Sequence, residues 1–326
     1  MVGGSGTRLR PMTLTTPKPM LPLAGVPLVE HQLTRARNAG IDHVVLATSY
    51  KAEVFAEHFR DGSASGVSLS YAVEAEPLGT GGGIRAASSM LRGTGPVVIL
   101  NGDVFGSLNL RALMEHHERQ AAEVTLHLRE VEDARSYGTV ETDDAGQVTS
   151  FREKVANPAG RQINAGTYVF SARALSAIPP GRPVSVERET FPLLIGQGAR
   201  VVGFRDDASY WLDVGTPAAF VKANCDIVLG QAPGADGLVH RPREAIVLEG
   251  AVVGANARLS GGTVVGERSC IGDGAVVHAS VLLPGAWVGA GAQVTDSVVG
   301  RGARVGTGAV LTGVALADGE HVPPDA

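Results

Sequence analysis

The chain has 326 residues, 44% of them hydrophobic, and a formal net charge of −5 from 28 Lys and Arg against 33 Asp and Glu. That length can bury one large core and a smaller one, while the scattered cations exclude the basic face that nucleic acid needs and no apolar run approaches the roughly 20 residues that span a bilayer. Its two cysteines, Cys225 and Cys270, have no metal-like spacing, so both are read as buried thiols in a reducing cytoplasm and neither a disulfide framework nor a zinc site is expected.

The opening MVGGSGTRLRPMTLTTPKPM sets Gly3, Gly4 and Gly6 ahead of Thr7, Arg8 and Lys18. Glycines let backbone N–H groups approach phosphate oxygens, and the two cations supply charge from two directions, so the segment predicts a phosphate-binding loop. Thr-Arg after Gly6 excludes a Walker A loop, which closes on Gly-Lys-Ser/Thr. Such a loop normally follows a strand, and Met1 and Val2 are too few for one. The sheet is therefore expected to lack its first strand, either because the start is placed late or because the fold does without it.

Up to about Leu229, short apolar runs such as His43 to Thr48 and Pro96 to Leu100 alternate with amphipathic stretches such as Leu28 to Arg37 and Leu108 to Gln120. This is the pattern of a Rossmann-like α/β domain with a mostly parallel sheet covered on both faces. Ligands on such sheets bind beyond the carboxyl ends of the strands, which puts Asp103, just after the run ending at Leu100, on the functional edge. Residues 230–244 are expected to be a linker, opening on Gly230-Gln231-Ala232-Pro233-Gly234.

From 245 to 326 the composition turns to Gly, Ala and Val, and the period becomes six. Val253, Leu259, Val265, Ile271, Val277 and Leu283 are six apart, Val288 and Val294 continue after a slip of one residue, and Val299, Val305 and Leu311 after another. Hexapeptide repeats place one apolar side chain inward at the same point of every coil, the signature of a parallel β-helix, here expected to be left-handed. Its end coils expose edges, so a homo-oligomer assembled through the β-helix is expected.

Taken in order, GGSGTRLRP (3–11), PKPM (17–20), EPLGTGGGI (76–84), NGDV (101–104), FREK (151–154), INAGTYVF (163–170), SVERETFP (185–192) and YWLDVGTP (210–217), with the hexapeptide tail behind them, resemble the sugar nucleotidyltransferase family, and its mannose-1-phosphate guanylyl branch in particular. The resemblance implies attack of a sugar-1-phosphate oxygen on the α-phosphorus of a nucleoside triphosphate, with GTP and mannose-1-phosphate as substrates and pyrophosphate released. Such chemistry asks for positioning and charge neutralisation more than for a covalent intermediate.

By that resemblance Arg8 and Lys18 neutralise the triphosphate, with the backbone of Gly3, Gly4, Gly6 and Thr7 donating to it. Asp103 and Asp213 match a pair of carboxylates for Mg²⁺, a hard ion that prefers oxygen ligands. Glu153 is matched to sugar hydroxyls and Lys154 to the sugar phosphate, although adjacent residues on a strand point to opposite faces. Asn164 is implied to touch the sugar, with Gly138 and Gly166 giving clearance, while Gly79, Thr80 and Glu76 lie in the segment that reads the nucleobase. Three alternatives stand beside this reading: the same chemistry with glucose-1-phosphate and dTTP, UTP or ATP; a catalytically silent regulatory subunit that binds nucleotide-sugar; and an added acyltransferase on the β-helix, for which His278 is the candidate within the clear repeats.

Overall fold

The computed structural model describes residues 1–234 and 242–326, so the 235–241 part of the expected linker lies outside the described residues. The chain forms two compact units. One holds Met1–Gly4, Gln32–Val104 and Leu108–Trp211, and the other Ser5–His31, Phe105–Ser107 and Leu212–Ala326.

In the first unit, β1 (His43–Thr48) and β2 (Ser68–Val73) pair in parallel. The strands β3 (Val97–Leu100), β4 (Val124–Glu130), β5 (Gly138–Thr142), β6 (Val148–Glu153), β7 (Gln162–Phe170) and β8 (Val201–Arg205) form a mixed sheet in the order β8-β4-β7-β5-β6, with β3 also paired to β7. The ladder β4/β8 is parallel, whereas β7 runs antiparallel to β3, β4 and β5. Side chains alternate across the sheet. Tyr168 and Phe170 enter a core with Phe151, Phe191 and Ile84, while Val169 points the other way, onto Leu108, Leu110 and Leu113. Helices α1 (Leu28–Asn38), α2 (Ala52–Phe59), α3 (Gly79–Ser88) and α4 (Leu110–Arg119) supply the cover. Helix α4 begins where the Asn109 side chain accepts from Ala112 N–H at 3.1 Å, a helix N-cap.

The place expected for a first strand is held by two residues. Val2 N–H donates to Ala47 O (2.9 Å), Gly102 N–H donates to Met1 O (2.8 Å), and the Met1 ammonium donates to Leu100 O (3.0 Å). Met1 and Val2 thus bridge β1 and the end of β3 at the level where the glycine loop departs. The remaining length of the two strands is left as separate ladders.

Two buried histidines make the fold acid-sensitive. Burial pushes His127, on β4, and His31 each down to about 4, so both are neutral in the folded chain near pH 7. The unfolded chain takes up those protons near pH 6.5, so stability is full above about pH 6.5 and is lost as the pH falls through 4. The loss approaches on the order of 3 kcal/mol per histidine. Thermal melts between pH 8 and 4 are expected to fall across that window, and His127→Gln to flatten the fall; an unchanged slope in the variant would remove His127 as a cause.

In the second unit, parallel strands stack as three sheets. The first is Ala245–Val247, Thr263–Val265, Val281–Leu282 and Val298–Val299; the second Val252–Val253, Cys270–Ile271, Trp287–Val288, Arg304–Val305 and His321–Val322; the third Arg258–Ser260, Val276–His278, Gln293–Thr295 and Val310–Thr312. This is a parallel β-helix, filled by Val265, Ile271, Val277, Leu282, Val288, Val294, Val299 and Val305. The inward residue of its third coil on the first sheet is Leu282 rather than Leu283, because Val265 pairs with Leu282. The slip therefore falls one repeat earlier than the spacing suggests, between Val277 and Leu282 rather than between Leu283 and Val288. The two-residue corner Gly261-Gly262 becomes the single residue Ala279, so partners that are 18 apart at Ser260 and His278 are 17 apart at Val264 and Val281.

Hydroxyl groups thread that corner. Ser280 N–H donates to Thr263 Oγ1 (3.4 Å), Ser297 N–H to Ser280 Oγ (3.1 Å) and Val314 N–H to Ser297 Oγ (3.1 Å), which satisfies backbone that the tight turn leaves without ladder partners. Helix α5 (Pro217–Val228), capped by Thr216, packs on the first sheet, and a Cβ at Gly262 would come within 2.7 Å of Cys225. Residues of the 5–31 segment also touch the coils: Thr15 Oγ1 donates to Asp318 (2.6 Å), and a Cβ at Gly25 would come within 2.7 Å of Leu248. Cys225 is buried and burial pushes its thiol up to about 12, but Cys270 is only half-buried, against expectation, because it faces outward on the second sheet between Val252 and Trp287.

Candidate active site

The second unit gathers the cations. Gly6 is left-handed (φ +61°) and caps the short helical turn Thr7–Leu9, with its carbonyl accepting from Thr13 Oγ1 (2.9 Å) and Leu9 N–H (2.9 Å). A side chain there would press on Thr13 and Lys18, so this glycine is required by conformation and by space. Lys18 lies almost fully buried, its Nζ 3.7 Å from Asp213 Oδ1, while the exposed Arg8 sets a guanidinium nitrogen 3.9 Å from Asp213 Oδ2. Gly215 makes the room: a Cβ there would stand 3.0 Å from Asp213 and 3.1 Å from Arg8. Two cations converging on one carboxylate from opposite oxygens form a site that a polyanion can enter by competing for the cations. Thr7 is exposed beside them.

The first unit holds the remaining residues of the motifs. Gly3 packs on Ser49, whose hydroxyl donates to its carbonyl at 2.7 Å, whereas Gly4 faces open space. Asp103 sits half-buried in the turn after β3. Gly138 pairs with Glu153 across β5 and β6, and a Cβ on it would meet the Glu153 carboxylate at 2.8 Å, so this glycine clears space for the acid. Lys154 lies past the end of β6 with φ +49°. The left-handed step cancels strand alternation and returns its Nζ to 3.3 Å from Glu153 Oε1, so acid and base share one side.

Asn164 opens a bulge in β7 that ends at Tyr168, with Gly166 at φ +77° inside it. Gly166 N–H donates to Asn164 Oδ1 (3.0 Å), which turns the amide nitrogen toward the Tyr168 hydroxyl at 2.8 Å and fixes the side chain at both ends. Bulges next to sites re-aim side chains in this way. Trp211 donates from its ring nitrogen to Ala165 O (2.9 Å), bracing the same bulge.

Gly79 starts α3 in a left-handed conformation (φ +69°). Thr80 uses its hydroxyl internally, donating to Glu187 Oε2 (2.6 Å) and accepting from Val186 N–H (2.9 Å), so it fastens the helix start to the π-helical turn Val186–Thr190. Glu76 is exposed, while Glu74 accepts from Leu78 N–H (3.0 Å) and shapes the loop. Gln32, Glu74, Gly215, Tyr168 and Glu187 were not selected from sequence. Tyr168, Glu187 and Gly215 lie inside quoted motifs; for Gln32 and Glu74 no sequence signal existed.

Among the described residues no group of three or more His, Cys, Asp or Glu could hold a metal ion. Asp103 and Asp213 each carry carboxylate oxygens, which are hard donors of the type that Mg²⁺ takes.

This α/β domain, with its cationic glycine loop and strand-end aspartates, is that of a nucleotidyltransferase. A model of the nucleotidyl transferase family matches residues 1–229 and one described as the GMPPB C-terminal domain matches residues 242–323; the chain belongs to the nucleotidyl transferase family. It is 47% identical over 289 residues to a mannose-1-phosphate guanylyltransferase of Mycobacterium tuberculosis, taking in 88% of this chain and 80% of that one. It is 38% identical over 229 residues to a mannose-1-phosphate guanyltransferase of Pichia angusta, where the match spans 69% of this chain and 62% of that one. Among solved structures it is similar to HddC from Yersinia pseudotuberculosis, alone and complexed with GMP-PN, with a TM-score of 0.60 and 27% identity over 69% of this chain and 96% of that one. Nucleotidyltransferases of this kind generally use a divalent metal ion. No helix among the described residues is long and apolar enough to cross a membrane.

Proposed function

We propose that the protein joins GTP and mannose-1-phosphate to give GDP-mannose and pyrophosphate. The observation that carries the reading is the convergence of Arg8 and Lys18 on Asp213, in a chain whose relatives bear the name of that activity. Arg8 and Lys18 bind the triphosphate and take up the charge that builds on the pyrophosphate leaving group. Gly4, Gly6 and Thr7 offer backbone N–H groups to the same phosphates. Lys154 holds the sugar phosphate so that its oxygen lies in line with the α-phosphorus, and Glu153 and Asn164 accept from and donate to sugar hydroxyls. Asp103 and Asp213 would hold Mg²⁺, which when bound neutralises phosphate charge and orients the triphosphate. The segment of Glu76, Gly79 and Thr80 faces the base, and guanine is favoured by the likeness to a protein complexed with GMP-PN. The enzyme works in the cytoplasm as a homo-oligomer built through its β-helix.

Pyrophosphate release with Mg²⁺, with GTP, dTTP, UTP and ATP each set against mannose-1-phosphate and glucose-1-phosphate, tests this. Release confined to GTP with mannose-1-phosphate is expected. Another productive pair would keep the chemistry and change the substrates, and silence in all would favour a regulatory subunit.

A further inference from the structure

Gln32, on α1, belongs to none of the motifs. It is 7% exposed, and its amide nitrogen donates to two carbonyls at once, Asn101 O and Val104 O, each at 2.8 Å. These carbonyls are the two ends of the turn that carries Asp103. The turn is closed by Val104 N–H donating to Asn101 O (3.2 Å) and tied to the β7 bulge by Asn101 N–H donating to Gly166 O (2.9 Å). Gly102 within it has no room for a side chain, since a Cβ would stand 2.5 Å from Met1 O. A primary amide carries two protons on one nitrogen, and here both are used, one for each end of the turn. An apolar side chain of similar length would take this donor from both carbonyls, leaving Asn101 O with the Val104 N–H alone and removing the amide's tie between the two ends of the turn.

We propose that Gln32 is a positioning residue for Asp103, holding both ends of the turn so that the carboxylate keeps the direction its divalent ion requires. The inference rests on the reading of Asp103 as a metal carboxylate. Groups behind a metal ligand typically alter affinity or activity by about 10- to 100-fold when removed.

The test uses the full chain as Gln32→Met, which keeps length and removes the donors, and as Gln32→Glu, which sets carboxylate oxygens against the two carbonyls. Half-saturating Mg²⁺ is expected to rise about tenfold and kcat to fall about tenfold or more, with KM for mannose-1-phosphate within about twofold of the parent. Mn²⁺ binding to the enzyme–GTP complex, followed by electron paramagnetic resonance, should weaken in step. If Gln32→Met does not fold, Gln32→Glu decides: its activity relative to the parent should rise from pH 8 to pH 6, because a protonated carboxyl regains one donor. A flat ratio, or a loss of Tm with the Mg²⁺ and Mn²⁺ midpoints unmoved, would reduce Gln32 to a structural role and overturn the proposal. If instead Asp103→Asn leaves the parent's turnover and Mn²⁺ binding intact, the metal reading of Asp103 fails, and the proposal with it.

Discussion

Lys18→Ala is expected to lower kcat/KM by about a thousandfold while the chain remains folded. Removing one preorganised group from a transition-state site typically costs about 10²- to 10³-fold, and the effect grows where water is excluded. Lys18 meets both conditions: its side chain is 9% exposed, and its Nζ stands 3.7 Å from the Asp213 carboxylate. Arg8, with a side chain 61% exposed, shares that carboxylate but has solvent around it, so Arg8→Ala should lose less. Lys18→Arg is not expected to restore activity, because a planar guanidinium cannot take the space of a buried ammonium that stands 3.7 Å from the Asp213 carboxylate. Steady-state kinetics with a circular dichroism control decide the matter, and near-parental turnover in Lys18→Ala would remove the lysine from the phosphate site.

Gly79→Ala should damage both stability and nucleotide binding. The residue is left-handed, and an added Cβ would sit 2.7 Å from the carbonyl oxygen of Val184, a backbone atom that cannot rotate away. That same carbonyl accepts from Gly81 and Gly82 N–H, so moving it also disturbs the first turn of α3. Strain at a positive φ combined with a backbone clash is expected to cost about 2–4 kcal/mol. KM for GTP should rise by about tenfold or more while KM for the sugar phosphate changes little. A variant with parental Tm and KM would show that the loop relaxes without consequence.

Much of this was legible in the sequence, though for reasons that differ by residue. The glycine loop announced itself, yet Gly6 is glycine for its left-handed backbone and Gly3 for contact with Ser49, a distinction spacing alone does not carry. The hexapeptide phase was readable to within one residue, because a two-residue corner looks the same in sequence wherever the deletion lies, and only the pairing of Val265 with Leu282 locates it. The direction of β7 was hidden, since a buried strand such as Thr167 to Phe170 is apolar whichever way it runs. Strand alternation set Glu153 and Lys154 on opposite faces because nothing local revealed the left-handed step at Lys154. Gln32 could not be found at all. Its partners lie 69 and 72 residues away, and their meaning exists only once α1 is folded against the turn.

The grouping of Ser5–His31 with Leu212–Ala326 has a consequence for the way the chain can be divided. The β-helix is the footing of the phosphate loop: Thr15 is tied to Asp318 in the last coils, Gly25 lies against Leu248 in the first, and Ala24 N–H is held at 2.7 Å by Asn224 of α5. A protein cut at the linker would keep every catalytic motif, and Asn224 with them, and still lose the Asp318 and Leu248 contacts of the segment that carries Arg8 and Lys18. Selection on the coils then acts also on the segment that carries the cations of the phosphate loop, through Thr15 and Gly25.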